Sequence, residues 1–188
     1  GSYFAATNNT ATSALPAGTS LDDDRPVTVS SISVNEASPY AVQIVSGQAG
    51  QLVTLALANG TAAGGTTSPS DGSVDFLNNS LQYFNGSSWV AYNSGAKVAL
   101  DASGQLLVRT SLVNDTVYEG AHAYTLQATN TGNGSAAGTA TIYDDGTGAY
   151  YPNNTTGNPD PNAPLNDDRP LKVNNILVNE ASPYAVFT

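Results

Sequence analysis

The chain has 188 residues, with fifteen Asp and Glu, five Lys and Arg, and a formal net charge of −10. This charge repels phosphate backbones and anionic lipid, so we expect neither nucleic-acid binding nor membrane insertion. A metal cation is the natural counter-charge, and the alternative is that the acids serve only solubility. The chain contains no cysteine, which excludes disulfide and thiol chemistry.

One stretch of the chain occurs twice. Residues 21–26 (LDDDRP) and 34–42 (VNEASPYAV) recur as 165–170 (LNDDRP) and 178–186 (VNEASPYAV), so that Glu36 returns as Glu180 144 positions later. Such a period is too long for a helical solenoid and indicates a domain with its own core. We predict an N-terminal linker (1–24), a complete domain (25–146), a second linker (147–168) and the incomplete start of another repeat (169–188).

The first half of the domain alternates apolar and polar residues, as strands do. Residues 27–34 form one such run, with a break near Ser30 and Ser31 that indicates a bulge. Further strands are predicted at 40–45 and 51–58. Leu52 or Val53, Leu55 and Leu57 are the core candidates in the latter. Residues 60–73 are rich in Gly, Thr and Ser and predict a long loop.

The second half begins with a hairpin, residues 81–84 and 89–92, around the turn signal Asn85-Gly86. Its aromatic side chains are interpreted as packing residues, with an exposed sugar-binding platform as the alternative. Further strands are predicted at 96–100, 105–113, 122–129 and 138–143. About eight short strands without helical periodicity predict an all-β fold, an antiparallel Greek-key sandwich of the immunoglobulin type.

The segments after the domain raise a separate question. Four prolines in residues 147–168 predict an extended, semi-rigid linker. Residues 171–188 open a sandwich whose other strands are missing. We expect them to pair with a sheet edge, either of their own domain or of a neighbouring chain, where strand exchange would build a dimer or filament. The alternative is a structural unit that is offset from the sequence repeat.

The acids collect in segments that a sandwich brings to one end. They are Asp23, Asp24, Glu36, Asp71, Asp75, Asp115, Glu119, Asp144, Asp145, Asp167 and Asp168, with Glu180 as the repeat of Glu36. Several hard oxygen ligands from different loops are what Ca²⁺ requires. Shared ligation by the pairs 144–145 and 167–168 would need the linker to fold back, so separate sites are expected. For each single acid, a turn cap is the alternative.

Four of these motifs, in this order, resemble the Calx-beta domain. They are Val34-Asn-Glu36, Asp75-Phe76, the loop 114–120 (NDTVYEG) and the segment 140–145 (ATIYDD). The resemblance covers about residues 27–146 and implies a calcium-binding sandwich. It places Ca²⁺ ligands at Glu36, Asp75, Asp115, Glu119, Asp144 and Asp145, with weaker candidates at Asp23, Asp24, Asp71, Asp167, Asp168 and Glu180. The chain departs from the family at Ala37, where glycine is usual, and at Ala121-His122, where an acid pair is usual.

The tandem arrangement resembles the extender repeats of giant bacterial surface adhesins of the RTX type. This resemblance implies an extracellular module at the bacterial cell surface, stabilised by Ca²⁺, whose partners are the neighbouring repeats. Its function would be to set the length and stiffness of a stalk. The alternative is a module that binds carbohydrate or protein through the aromatic hairpin or the loop 60–73.

Enzymatic activity is not expected. His122 is the only histidine, so a nucleophile–base triad would have to use it, and no Gly-x-Ser-x-Gly motif is present. One histidine also argues against a transition-metal site. Glu36 and Glu119 could act as paired glycosidase carboxylates, but a small sandwich without a deep aromatic cleft does not favour that reaction.

Overall fold

A computed structural model describes residues 23–188. Most of the predicted N-terminal linker, residues 1–22, lies outside this range. The described chain contains twelve strands. They are β1 (Thr28–Val29), β2 (Ile32–Asn35), β3 (Tyr40–Ser46), β4 (Leu52–Asn59), β5 (Gly64–Gly65), β6 (Phe76–Leu77), β7 (Gln82–Phe84), β8 (Trp89–Ala91), β9 (Val98–Ala99), β10 (Gln105–Ser111), β11 (Ala121–Asn130) and β12 (Ser135–Tyr143).

The strands form two five-stranded sheets and one small ribbon. The first sheet has the order β1-β3-β10-β7-β8, and the second has the order β2-β12-β11-β4-β9. Pairing is antiparallel except between β12 and β2 and within the β5–β6 ribbon. The chain crosses between the sheets from β3 to β4 and again from β10 to β11. These crossings confirm the predicted Greek-key sandwich.

Alternation along the strands places the core between the two sheets. In β4, Val53 and Leu55 are buried whereas Leu52 is 37% exposed. In β11, Tyr124, Leu126 and Ala128 point inward at every second position and are all buried. The period of two in the sequence therefore selects the buried face.

The predicted bulge at Ser30 and Ser31 is a change of sheet. β1 pairs with β3 in the first sheet, whereas β2 pairs with β12 in the second. The Ser30 hydroxyl accepts a hydrogen bond from the Ile44 amide at 2.8 Å. Gly138 permits the crossing, because a Cβ there would lie 2.2 Å from the Ser30 carbonyl oxygen.

A second, smaller core fills one end of the sandwich. Its centre is the stacked pair Phe76 and Tyr124, whose ring centroids are 4.2 Å apart. Phe76 belongs to β6, which pairs with β5. β5 lies inside residues 60–73, the segment predicted as a loop. Gly64 and Gly65 have no side chains to alternate, so this ribbon carries no periodic signal in the sequence.

Residues 147–168, here called the strap, fold back onto the sandwich. Ala149 bridges to Val34, and Tyr151 bridges to Tyr40. Further along, the Asp168 amide donates to the Asp144 carbonyl at 2.9 Å. The expectation that this segment does not fold back is therefore wrong. Proline restricts the backbone to extended conformations but does not decide whether that backbone leaves the domain or lies along it.

The strap covers a buried arginine on the outer face of the first sheet. The Arg109 guanidinium lies 3.8 Å from the ring centroid of Tyr40 and 4.4 Å from that of Trp89. Arg109 Nη1 donates to Asn153 Oδ1 at 2.8 Å, and Trp89 Nε1 donates to the Asn154 carbonyl at 2.6 Å. The aromatic hairpin is thus engaged in packing, as predicted, and two aromatic faces stabilise the cation.

Asn35 fastens the strap to the sandwich. Its Nδ2 donates to the carbonyls of Tyr143, Thr147 and Asn166, at 3.3, 2.9 and 3.0 Å. Its Oδ1 accepts from the amides of Ala37 and Asn166, at 3.1 and 2.8 Å. One fully buried side chain therefore joins the end of β2, the end of β12 and the last turn of the strap.

The second copy repeats the local conformation of the first without its packing. Asn174 and Thr188 exchange the hydrogen bonds that Ser30 and Ile44 make 144 positions earlier. No residue in 169–188 belongs to a named strand, and Leu171 and Leu177 are fully exposed. The expected pairing with an edge of its own domain is therefore not found: among the described residues, 28–46 form β1, β2 and β3, and their repeat 172–188 pairs with no strand.

Substitution of Asn35 tests the connection between strap and sandwich. Asn35→Ala would leave the amides of Ala37 and Asn166 without the acceptor that they share and would remove one of two donors from the Asn166 carbonyl. We expect the free energy of unfolding to fall by more than about 2 kcal/mol. The measurement is urea denaturation. Asn179→Ala is the matched control at the same repeat position, where the residue is exposed, and we expect a change within about 0.5 kcal/mol. Equal effects of the two substitutions would contradict the role given to Asn35.

Candidate metal centre

Strand ends bring a set of titratable side chains to one end of the sandwich. Glu36 follows β2, Asp75 precedes β6, and Asp144 follows β12. The segment between β10 and β11 adds two more carboxylates, His122 lies at the start of β11, and the strap returns one aspartate. We call this set the acidic pole: Glu36, Asp75, Asp115, Glu119, His122, Asp144 and Asp168.

Four carboxylates of the acidic pole are buried. Glu36, Asp75, Asp115 and Asp144 are only 4–6% exposed. Among residues 23–188, Lys and Arg form ion pairs only outside the pole, Arg25 with Asp23 and Arg169 with Asp167. Burial of like charges without a counter-ion is costly. The pole therefore requires protons or a cation to balance it.

Glu36 is the most perturbed of these carboxylates. Its Oε1 accepts from the Asp115 amide at 2.9 Å, whereas its buried Oε2 has no hydrogen-bond partner among the described residues. Burial, reinforced by the charges of Asp115, Asp168 and Asp144, raises the pKa of Glu36 to about 7. The folded protein thus holds this carboxyl group ready to bind either a proton or a metal ion.

Asp144 and Asp168 meet across the junction between β12 and the strap. Asp144 Oδ2 accepts from the amides of Glu119 and Gly120, at 2.5 and 3.2 Å, and its buried Oδ1 has no partner in the described chain. Burial, followed by the charges of Asp144 and Asp115, raises the pKa of Asp168. The last residue of the strap therefore contributes charge to the pole of the domain it follows.

Asp75, Glu119 and His122 form the other half of the pole. His122 Nδ1 lies 2.7 Å from Asp75 Oδ1 and 3.8 Å from Glu119 Oε2. Burial alone would lower the pKa of His122, but the hydrogen bond and charge of Asp75, with the charge of Glu119, raise it. Burial and the charge of Asp75 raise the pKa of Glu119.

A cavity of about 10 Å³ lies between these groups. This is roughly the room for one water-sized sphere. Its lining includes Glu36, Asp75, Glu119, His122 and Asp144. Two carboxylate oxygens without partners, an ion-sized space and oxygen-rich walls fit a bound cation, and the donor set suits Ca²⁺.

The remaining predicted ligands lie outside this group. Asp71 caps a turn through the amide and hydroxyl of Ser73, and Asp145 does the same with Thr147. Asp23 and Asp167 pair with Arg25 and Arg169. Asp24 and Glu180 are exposed. Of the six acids matched to Calx-beta ligands, five lie in the pole, and Asp145 borders it with its side chain turned toward Thr147.

Two functional residues were missed by the sequence analysis. Asn35 was treated only as part of a motif, although its repetition as Asn179 beside Glu180 was a usable signal. His122 was treated as isolated because no other His or Cys lies near it in the sequence. Its partners in the structure are Asp75, 47 positions earlier, and Glu119, three positions earlier. Its place where Calx-beta domains usually carry an acid was the signal that could have found it.

No protein-family model matches the sequence, and comparison with curated proteins finds no match. Among residues 23–188 there is no helix of the length and apolarity needed to cross a membrane. The fold assignment therefore depends on the strand pairings themselves.

Solved structures with a similar fold include two of Calx. The apo form of the Calx CBD1 domain is 15% identical with a TM-score of 0.40, covering 63% of this chain and 97% of that one. CBD12 from CALX1.2 is 16% identical with a TM-score of 0.41, covering 63% of this chain and 45% of that one. The collagen-binding subdomain of the Enterococcus faecalis surface protein ACE is 6% identical with a TM-score of 0.35, covering 66% and 99%.

The pKa of Glu36 predicts how stability depends on pH when metal is removed. Its pKa rises from 4.5 to about 7 on folding, so the folded state binds more protons than the unfolded state between these values. Stability in EDTA is therefore expected to fall as pH rises through that window, by about 2–3 kcal/mol from this residue.

Glu36→Gln tests this assignment by urea denaturation from pH 4.5 to 7.5. Glutamine keeps the oxygen that accepts from the Asp115 amide and removes the charge. We expect the variant to be more stable than the wild type at pH 7.5 in EDTA, with a shallower decline over the window. A wild-type profile that is flat, or a variant profile of unchanged slope, would contradict the assignment.

Proposed function

We propose that this chain is a calcium-stabilised structural repeat of a secreted bacterial surface adhesin, where it sets the length and stiffness of a stalk. The observation that carries the proposal is the pair of buried, unpartnered carboxylate oxygens, Glu36 Oε2 and Asp144 Oδ1, in a pole without Lys or Arg partners among the described residues. A role in mechanics rather than catalysis accords with these inward-facing, immobilised acids.

Glu36, Asp115 and Asp144 would hold the ion, together with Asp168. All four carry oxygen ligands, and burial together with their mutual repulsion raises the pKa of Glu36 and Asp168. A bound Ca²⁺ would supply the positive charge that the described residues do not. The module would then be stable only where calcium is plentiful, as it is outside cells.

The position of Asp168 links calcium binding to the junction between repeats. Asp167 and Asp168 occupy the repeat positions of Asp23 and Asp24, directly before the Arg-Pro that opens the next repeat. Backbone bonds already join them to the preceding domain, from the Gly146 amide to Asn166 and from the Asp168 amide to Asp144. A cation at this point would fix the start of one repeat to the end of another and so limit bending.

Calcium is expected to raise the melting temperature of the protein. At a hundredfold excess over Kd the gain is roughly 2–3 kcal/mol, or about 5–10 °C for a chain of this size. Scanning calorimetry in CaCl₂ and in EDTA measures it. Asp144→Asn keeps an acceptor for the amides of Glu119 and Gly120 but loses the charge, and should lose most of the gain. Glu180→Gln removes one exposed charge elsewhere and should keep it.

The same samples show whether calcium acts at the junction. Amide hydrogen exchange of Gly146 and Asp168 should slow when Ca²⁺ is added, because both amides bond across the junction. A melting temperature that calcium leaves unchanged would overturn the calcium site. A raised melting temperature without slower exchange at Asp168 would confine the site to the sandwich and remove the stiffening role.

The exposed second copy favours one further role, assembly by strand exchange. Leu171, Val178 and Tyr184 are 99%, 55% and 78% exposed. Their counterparts in the first copy, Val27, Val34 and Tyr40, are buried or half-buried. Pairing of residues 171–188 with a neighbouring chain would bury them. Deletion of residues 171–188 should then convert an oligomer to a monomer in light scattering. The same number of chains per particle in the full and shortened proteins would exclude this role.

A further inference from the structure

The domain begins and ends at opposite ends of the sandwich. β11 starts beside the acidic pole and finishes at Asn130, and its ten residues span roughly 30 Å. Arg25, where the domain begins, lies at the far end, because Asn130 Nδ2 donates to its carbonyl at 2.8 Å. The strap finishes at Asp168, whose amide bonds to the acidic pole. Successive domains that follow this path would form a line.

Three residues hold the start of the domain at this far end. We call Gln51, Asn130 and Gly132 the entry clamp. Besides the bond from Asn130, Gln51 Nε2 donates to the Arg25 carbonyl at 2.6 Å, and the Gly132 amide donates to the Asp23 carbonyl at 3.2 Å. Gln51 and Asn130 are 1% and 5% exposed, and the side-chain oxygen of each accepts a further bond inside the domain. The clamp is therefore fixed in place by the sandwich.

The second copy of this entry sequence has the same local structure without a clamp. Arg169 Nε and Nη2 donate to the Asp167 carboxylate at 2.8 and 2.5 Å, as Arg25 donates to Asp23 at 2.9 and 2.6 Å. The Asp167 side chain is 42% exposed, against 18% for that of Asp23. Among residues 23–188, no donor bonds to the carbonyls of Asp167 and Arg169. The acceptors that the clamp uses in the first copy are thus available in the second.

The preceding domain uses only one edge of the segment that contains these acceptors. Backbone hydrogen bonds of 2.9 Å join the Asn166 carbonyl and the Asp168 amide to residues 144–146 in an antiparallel bridge. In an extended segment, the backbone groups of successive residues point to opposite edges. Asn166 and Asp168 therefore face the preceding domain, whereas Asp167 and Arg169 face away from it. The two sets of bonds use different atoms and can form together.

We propose that residues 166–169 form a strand shared by two consecutive domains, with the preceding domain on one edge and the entry clamp of the following domain on the other. The partner is a second copy of this domain, whose residues 25–44 the chain already repeats as 169–188. The inference rests on the proposed role as a tandem repeat, but it needs no bound ion. Paired strands lie about 4.8 Å apart, so about 10 Å would separate the two domains.

Exposed apolar side chains at the pole end support this contact. Val117 and Tyr118 lie between β10 and β11 and are 42% and 46% exposed. Tyr118 is close enough to Arg169 to interact with it electrostatically, so these side chains border the segment that leads into the next domain. Exposed apolar surface beside unpaired backbone acceptors is typical of an interface. A domain docked on the free edge of residues 166–169 would shield both side chains from water.

A two-repeat protein tests the shared strand. It consists of residues 1–168 followed directly by a second copy of residues 25–168, so that each copy contains a complete sandwich with its strap. The natural chain has no cysteine. Gln127→Cys in both copies, at an exposed position of β11, therefore gives two sites for spin labels. Double electron–electron resonance should give a single narrow distance distribution between the labels, in CaCl₂ and in EDTA alike.

Insertion of one glycine between Asp168 and the arginine that follows it is the decisive variant. One extra residue turns the later backbone groups to the opposite edge, so the two domains can no longer share the segment and the narrow peak should be lost. The same insertion between Thr67 and Ser68, in an exposed loop of the first copy, should keep the peak. A broad distribution in the two-repeat protein in EDTA, or a peak that survives the junction insertion, would overturn the proposal.

The full chain of 188 residues tests the clamp without a second domain. Asn130→Asp keeps the oxygen that accepts from the Gly134 amide and loses the donor to the Arg25 carbonyl. The entry sequence should then detach more often, and hydrogen exchange at the Gly132 amide should become roughly tenfold faster. Asn133→Asp, the same change at an exposed position of the same turn, should leave that rate unchanged. Equal rates in the two variants would overturn the clamp and the shared strand with it.

The result is separable from the test of the calcium site. If the calcium proposal fails and the shared strand holds, Ca²⁺ leaves the melting temperature unchanged while the narrow distance peak is present in EDTA. If the shared strand fails and the calcium proposal holds, Ca²⁺ raises the melting temperature while the distance distribution in EDTA is broad. A peak that narrows only in CaCl₂ belongs to the second case, because an ion and not the backbone would then fix the angle between domains.

Discussion

The main physical constraint on this structure is the burial of negative charge at one end of the sandwich. Four carboxylates, 4–6% exposed, lie together where no described Lys or Arg reaches them. Coulomb repulsion at short range in a poorly polarisable interior is large, so the surrounding backbone supplies partial compensation. Amides of Ala63, Asp115, Glu119 and Gly120 donate to these oxygens. Two buried oxygens, Glu36 Oε2 and Asp144 Oδ1, have no hydrogen-bond partner among the described residues, and they mark where this compensation ends.

Asn35 connects this charged end to the repeat architecture. An amide side chain can donate and accept at once, and here it does both toward the strap while its neighbour Glu36 enters the pole. The strap is therefore part of the domain that precedes it. A physical unit that runs from Arg25 to Asp168 has the length of the sequence repeat, although its boundary falls after the acidic pair rather than before the strap. A junction between repeats at Asp168-Arg169 would lie directly beside the acidic pole.

Local patterns were sufficient to predict the longer strands, though not the β5–β6 ribbon, and the convergence of five of the six acids matched to Calx-beta ligands. Alternation in β4 and β11 reflects burial of one face, and the order of motifs at strand ends fixed which loops share an end. Two features could not be predicted because they depend on contacts distant in sequence. The path of the strap is set by bonds between residues such as Asn35 and Asn166, 131 positions apart. His122 belongs to the acidic pole through its hydrogen bond to Asp75, which is 47 positions away in the sequence. The turn-capping roles of Asp71 and Asp145 were open alternatives that only side-chain orientation decides.

Comparison of the two copies distinguishes the local conformation, which the motif forms by itself, from the burial that only the complete domain provides. Ser182 donates to Tyr184 as Ser38 does to Tyr40, and Ala181 donates to Asn179 as Ala37 does to Asn35. The turn thus forms from local bonds alone. Yet Glu180 is exposed, and the burial that raises the pKa of Glu36 is missing around it. The proposed affinity for a cation would therefore belong to the closed sandwich with its strap, and the motif alone would not supply it. In a tandem array each metal centre would form only after its own domain has folded and the next entry segment has docked.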